Sequence, residues 1–270
     1  MNPSVNAGHP GVLLNVQGLS KKYGDREILR ELDLIVESGE FVCIVGPSGA
    51  GKTTLLQCLS GLSAPTAGRV VLNGREIHET PPEMAIVFQD YSRSLMPWLS
   101  VLDNVTVALR STKLNKQARH ERAVAALTEV GLGDHLALYP WQMSGGMQQR
   151  AAIARALAYQ PEIVLMDEPF ASVDAQTRAD LEDLTLALKN HLGITVVLVT
   201  HDIDEAVYLA DRVVVLGNRP TQVVDIVEVE LGAQRDQIST KADPKFSSLR
   251  SRVYRGIRGE APTAADAVEG

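Results

Sequence analysis

Gly46-Pro47-Ser48-Gly49-Ala50-Gly51-Lys52-Thr53 fits the pattern G-x-x-x-x-G-K-[ST], between the apolar run 41–45 and the segment Thr54-Leu55-Leu56-Gln57-Cys58-Leu59. A strand, then the loop, then a helix is the context in which this pattern builds a phosphate cradle. The glycines let backbone N–H groups close around an anion, and the N-terminus of the following helix adds positive potential. Lys52 is then placed to reach the β- and γ-phosphates, and Thr53 to ligate Mg²⁺. A glycine-rich turn ahead of an ordinary helix is the bland alternative. It accounts for the glycines but not for the lysine, the hydroxyl and the flanking strand together. The expectation is a nucleoside triphosphate site on an α/β fold.

The length of 270 residues allows one large domain or two modest ones, and a main lobe with an inserted lobe is expected. A hydrophobic fraction of 45% and a mean hydropathy of -0.01 fit a soluble globular chain. No run approaches the ~18 consecutive apolar residues of a membrane-spanning helix. The start of the chain has neither a basic stretch nor a continuous apolar segment, which argues against a signal peptide and for a cytoplasmic location. The net charge of -7 and pI near 5.4 speak against broad attraction to nucleic acid. Cys43, in the strand before the loop, and Cys58, in the helix after it, read as buried and reduced.

Residues 1–11 and the tail 259–270 are expected to be disordered. Strands are expected at 12–16, 27–36, 69–72, 84–88, 163–166, 195–199, 212–216 and 222–229, the short apolar ones as buried parallel strands. From about 101 to 160 the pattern is helical, with the stripe Ala123, Leu127, Val130 along 116–130. A late helix at 245–258 carries Arg250, Arg252, Arg255 and Arg258, read as a solvated basic face.

Ile163-Val164-Leu165-Met166 leads into Asp167-Glu168, two carboxylates at the end of an apolar strand. Such a strand delivers acids to the ligand edge of a parallel sheet, where Asp167 can hold Mg²⁺ and Glu168 can polarise the attacking water. A turn or helix cap is the alternative for the pair on its own.

Met143-Ser144-Gly145-Gly146-Met147-Gln148-Gln149-Arg150 resembles the LSGGQ motif of the ATP-binding cassette (ABC) ATPases, and lies upstream of the Asp-Glu strand as in that family. A serine N-cap followed by two glycines exposes donors and the helix dipole to an anion, although an ordinary capped helix can begin the same way. Further resemblances follow in family order. Gln89 matches the glutamine that senses Mg²⁺ and water, Ser172-Val173-Asp174 the D-loop, and His201 the switch histidine at the γ-phosphate. Tyr23 matches the aromatic residue stacked on adenine. Met143 and Met147 depart from leucine and glutamine, but the variant Ser-Gly-Gly-Met-x-Gln-Arg, together with the stretch 95–105, looks like importers of the nitrate, taurine and alkanesulfonate type.

The resemblance covers about residues 13–229 and implies a P-loop NTPase (RecA-like) α/β core with an N-terminal antiparallel β subdomain and an inserted helical subdomain. The ATPase domain would run over 12–230, with the helical insertion at about 101–160 and a C-terminal extension at 231–270 made of a helix and a disordered tail. It implies ATP and Mg²⁺ as cofactors. Nucleotide contacts would come from Tyr23, residues Gly46 to Thr54 and Asp174, with Ser144, Gly145 and Gly146 completing the site of a second copy in a head-to-tail dimer. Thr53, Gln89 and Asp167 would hold the metal, and Lys52, Gln89, Glu168 and His201 would act in hydrolysis. Membrane permease subunits are the implied partners, with a periplasmic or lipoprotein solute-binding protein indirectly and no nucleic acid; the place is the cytoplasmic face of the membrane. In the family, the loop Tyr91 to Trp98 receives a coupling helix, whereas Trp98 as an anchor of the helical lobe is the structural alternative. Still open are an importer of another solute such as a thiamine-precursor pyrimidine, an exporter ATPase, and a cytosolic ABC protein acting on ribosomes or DNA. The last usually carries two cassettes or a long coiled-coil insertion.

Overall fold

Long alternating segments and short uniformly apolar ones sort this chain into half-buried and fully buried strands. The computed structural model describes residues 11–90, 94–232 and 234–260; the disorder expected for 1–10 and 261–270, and the first three residues of the aromatic loop, Tyr91, Ser92 and Arg93, lie outside them. The strands are β1 (Val12–Tyr23), β2 (Arg26–Glu37), β3 (Phe41–Val45), β4 (Ala67–Leu72), β5 (Arg75–Glu76), β6 (Met84–Val87), β7 (Ile163–Asp167), β8 (Thr195–Val199), β9 (Arg212–Leu216) and β10 (Val223–Glu228). The helices are α1 (Lys52–Leu59), α2 (Val101–Ala108), α3 (Lys116–Glu129), α4 (Gly145–Leu157), α5 (Ala175–Leu192), α6 (Ile203–Leu209), α7 (Ser239–Ala242) and α8 (Pro244–Arg258). They fall into two compact units, one running to Pro81 and resuming at Val199, the other Pro82–Leu198.

In the first unit an antiparallel sheet has the order β2-β1-β4-β5. Along β2, Leu32, Leu34 and Val36 are buried while Asp33 and Glu37 are exposed, the period-two pattern of a sheet with one wet face. β1 and β2 meet at a two-residue turn, Gly24-Asp25, with Tyr23 paired to Arg26 and Gly24 at φ 57. β1 continues well past the expected 12–16. Its second half is mostly polar around the buried Leu19, and it pairs with β2 as far as Tyr23 and with β4 as far as Ser20. The parallel pair β3 and β9 is buried, and β10 adds antiparallel to β9.

The C-terminal helix α8 also belongs to the first unit and buries Phe246 and Val253. Its arginines are not a bare solvated face. Arg252 makes a two-pronged contact with Asp225 of β10 at 3.0 and 3.1 Å, and Arg250 pairs with Asp204 of α6 at 2.8 Å. Two residues assigned to disordered ends also take part in the fold: Gly11 accepts the N–H of Ser38, and Gly259 at φ 71 closes α8.

In the second unit β6 and β7 run parallel with Val87 beside Met166, and the N–H of Thr195 reaches Glu162 O at 3.0 Å. The stretch 101–160 holds α2, α3, α4 and short 3-10 turns. Ser100 caps α2 and Asn115 caps α3, each accepting a backbone N–H from its first turn. Ala123, Leu127 and Val130 are buried, as their spacing predicts. The compact unit is larger than this helical stretch, because α4 packs on β6 and so joins the helices to strands. Both cysteines are buried and neither forms a disulfide, and burial pushes the Cys58 thiol above its ordinary pKa.

Candidate nucleotide site

β3 is apolar and wholly buried, so its C-terminal end delivers the segment 46–53 at the sheet edge. The N–H of Ala50 turns back to Pro47 O at 3.1 Å, and Leu55 N–H reaches Gly51 O at 2.8 Å as α1 begins. Gly51 sits at φ 94, and a Cβ there would lie 2.6 Å from Ile28 Cγ2, so backbone and space both require glycine. Gly51 is also the N-cap of α1, without any side-chain capping bond, so the first-turn N–H groups of α1 are left for an anion. Lys52 is only 7% exposed, and its ammonium donates to Gly46 O at 3.0 Å and Pro47 O at 3.2 Å, across the loop. Ser48, Gly49 and Thr53 are exposed and Thr54 is half-buried.

His201 follows β8, and the N–H of Thr200 reaches Ile44 O at 3.1 Å, two residues before Gly46. The switch candidate thus lies at the sheet end that carries the phosphate loop. It is exposed, and Asp202 beside it caps α6 by accepting the N–H groups of Asp204 and Glu205. Tyr23 is 52% exposed at the hairpin turn, with the Lys21 ammonium 5.1 Å from its ring centroid, a cation–π contact that the motifs do not announce.

In the second unit, the parallel register of β6 and β7 sets Val87 beside Met166, so Gln89 and Glu168, each two residues further on, emerge side by side. The Gln89 amide donates to Glu168 Oε2 at 3.3 Å. Asp167, the last residue of β7, is 6% exposed, whereas Glu168 is half-buried with φ 42. The adjacent acids thereby occupy different surroundings, Asp167 ending the buried strand and Glu168 lying just beyond it with a left-handed backbone.

Ser144 is the N-cap of α4 and accepts Met147 N–H at 3.3 Å, with Gly145 exposed and Gly146 buried. A Cβ on Gly146 would lie 2.4 Å from Thr177 Cγ2. Thr177 is fixed in turn by Asp174, which caps α5 by accepting the Thr177 N–H at 3.0 Å and its hydroxyl at 2.7 Å. These bonds, the backbone one first, hold the Asp174 carboxyl below its ordinary range. Asp174 therefore has a local capping task besides the nucleotide role that the resemblance implies. Two neighbours of the motif also position it: Gln148 ties the start of α4 to Pro140 O at 2.8 Å, and Arg150 donates to Val130 O at the end of α3, at 2.9 Å.

Trp98 is 72% exposed, which sets aside its reading as a core anchor; Leu95 is the buried residue of that loop. The buried Asn104 side chain grips the loop by accepting Met96 N–H and donating to the carbonyls of Met96, Leu99 and Ser100. Tyr139 and Trp141, just before Ser144, stack with centroids 6.1 Å apart, a second aromatic feature that single-residue reading missed.

The residues present fit a magnesium nucleotide. The uncapped α1 N-terminus suits phosphate, and Thr53 in the first unit and Asp167 in the second are each hard oxygen donors of the kind Mg²⁺ takes. No cluster of three or more His, Cys, Asp or Glu able to hold a metal occurs among the described residues.

The family described as ABC transporter matches residues 29–171. The chain is 41% identical to the bicarbonate transport ATP-binding protein CmpD of Synechocystis sp., over 88% of this chain and 86% of that protein. It is 38% identical to the nitrate transport protein NasD of Klebsiella oxytoca (94% and 99%) and 43% identical to the aliphatic sulfonates import ATP-binding protein SsuB 1 of Xanthomonas axonopodis (86% and 91%). Among solved structures it is similar to a dimeric post-hydrolysis state of the ATP-binding cassette MJ0796 bound to ADP and Pi, with TM-score 0.68 and 31% identity over 81% of this chain and 99% of that one.

Proposed function

The chain belongs to the ABC transporter family, and from that premise we propose that it is the ATP-hydrolysing subunit of an importer for a small anionic solute of the nitrate, bicarbonate, taurine or sulfonate kind. The observation that carries the ATPase reading is the uncapped α1 N-terminus behind the Gly49-Ala50-Gly51 turn, with Lys52 lying across the loop. The names of the similar transport proteins support the solute class.

Lys52 and the loop amides would bind the phosphates, Tyr23 the adenine, and His201 the γ-phosphate end. Thr53, Gln89 and Asp167 would hold Mg²⁺, which when bound neutralises charge on the β- and γ-phosphate oxygens. Glu168 would hold the attacking water and take its proton, oriented by the Gln89 amide at 3.3 Å. Catalysis of this kind is positioning and charge stabilisation and needs no covalent intermediate. Two copies would pair head to tail, Ser144, Gly145 and Gly146 of each completing the other's site, an isologous arrangement of the commonest symmetry. No helix among the described residues is long and apolar enough to cross a membrane, so attachment to the cytoplasmic face would come through permease subunits.

The test is Glu168→Gln. This variant should bind Mg-ATP with near-normal affinity and accumulate as a dimer, while turnover falls about 10²–10⁴-fold. Turnover close to that of the unaltered protein would remove Glu168 from the role.

A further inference from the structure

The loop between β9 and β10 lies over the phosphate loop and brings a cation with it. Thr221, fully buried, donates its hydroxyl to Ala50 O, sends its N–H to Ile28 O at 2.8 Å and accepts Arg30 N–H at 3.0 Å. Gly217 N–H to Gln222 O, at 3.0 Å, closes the same loop. Arg219 sits between these ties. Its Nη2 is 3.7 Å and its Cζ 4.0 Å from the position a Cβ on Gly49 would take, so the guanidinium packs on the bare face of that glycine.

Arg219 is exposed and has no ion pair or hydrogen bond among the described residues, unlike Arg212, which holds Glu40, or Arg252, which holds Asp225. An exposed guanidinium with no protein partner, resting on Gly49 two residues before the uncapped start of α1, adds positive potential where that helix end already favours an anion. The loop ties keep it there. A guanidinium is weakly hydrated, permanently charged and shaped for two-pronged contact with phosphate oxygens.

We propose that Arg219 is a nucleotide-binding residue that donates to the phosphate oxygens of the triphosphate held by residues 46–53. The proposal rests on the phosphate-loop reading and adds a second cation to it. Lys52 acts from within the loop, and Arg219 from the rim.

The test is equilibrium binding of ATP and ADP to the purified subunit, for the unaltered protein and for Arg219→Ala, Arg219→Gln and Arg219→Lys, at low and high salt, with Lys52→Ala in parallel. Loss of one charge-assisted hydrogen bond predicts a Kd for ATP raised about tenfold in Arg219→Ala and Arg219→Gln. Arg219→Lys should fall between, the salt dependence should flatten, and the melting temperature without nucleotide should stay unchanged because the side chain is exposed. Equal Kd in all the Arg219 variants, with Lys52→Ala defective, overturns this assignment and leaves the phosphate loop standing. The assignment is overturned in that case even if ATP-dependent dimerisation drops, since the guanidinium would then serve a neighbouring copy. Undiminished binding in Lys52→Ala would instead sink the phosphate-loop reading itself.

Discussion

Replacing Gly146 by alanine sets two effects of opposite sign against each other, and the geometry decides between them. Alanine is favoured over glycine inside a helix by roughly 0.5–1 kcal/mol, so α4 alone would gain. The new methyl, however, would stand 2.4 Å from Thr177 Cγ2. Thr177 cannot rotate away cheaply, because its hydroxyl and N–H are both bonded to Asp174, the cap of α5. Overpacking of this kind costs about 1–3 kcal/mol, and loss of the cap adds about 1 kcal/mol. Gly146→Ala should therefore destabilise by about 1–3 kcal/mol net. At roughly 2–4 °C per kcal/mol for a chain of this size, the melting temperature should fall by several degrees in a thermal scan. Thr177→Ser keeps the hydroxyl for Asp174 and removes the clashing methyl. The double variant Gly146→Ala, Thr177→Ser should thus recover most of the loss. A Gly146→Ala protein that melts no lower than the parent, or a double variant no better than the single, would refute the contact between the start of α4 and the start of α5.

The other expectations separate binding, chemistry and coupling. Tyr23→Ala should raise KM for ATP several-fold, about 1 kcal/mol of lost stacking, with kcat little changed; steady-state kinetics giving one KM for Tyr, Phe and Ala would end the adenine assignment. Met147→Gln should alter turnover only modestly, since the Ser144 cap accepts the backbone N–H of residue 147 and not its side chain, and complete loss of ATPase would reveal a specific task for the thioether. Trp98→Ser should leave basal ATPase and melting temperature intact, because the indole is exposed, and lower only the activity stimulated by the permease. Loss of stability and basal turnover together would contradict that loop's coupling role.

Parts of this molecule are legible wherever local chemistry dictates the outcome. β3, β7, β8 and β9 read as buried strands because each is a short apolar run between polar breaks, and each is buried throughout or nearly so. The second half of β1 is not legible, since Lys21 and Lys22 stand in a strand because they pair with Leu29 and Glu27 of β2. The same division runs through the candidate site. Its residue types follow from motifs, but their mutual support comes from register. Gln89 meets Glu168 across 79 positions because β6 and β7 run parallel with Val87 beside Met166. Asp174 and Thr177 read as an ordinary helix start, yet the fold sets their cap against Gly146, where a methyl does not fit. Arg219 carries no motif at all, and the bond from Thr221 to Ala50 and the packing of Arg219 on Gly49 reveal that its loop belongs with the phosphate cradle. In this fold a residue's chemistry can be named from its own neighbours in sequence, whereas the restraint that makes it useful is supplied from a distant strand or loop. A substitution that preserves the motif but disturbs Thr177, Asn104 or Thr221 should therefore impair the site while leaving every motif residue in place.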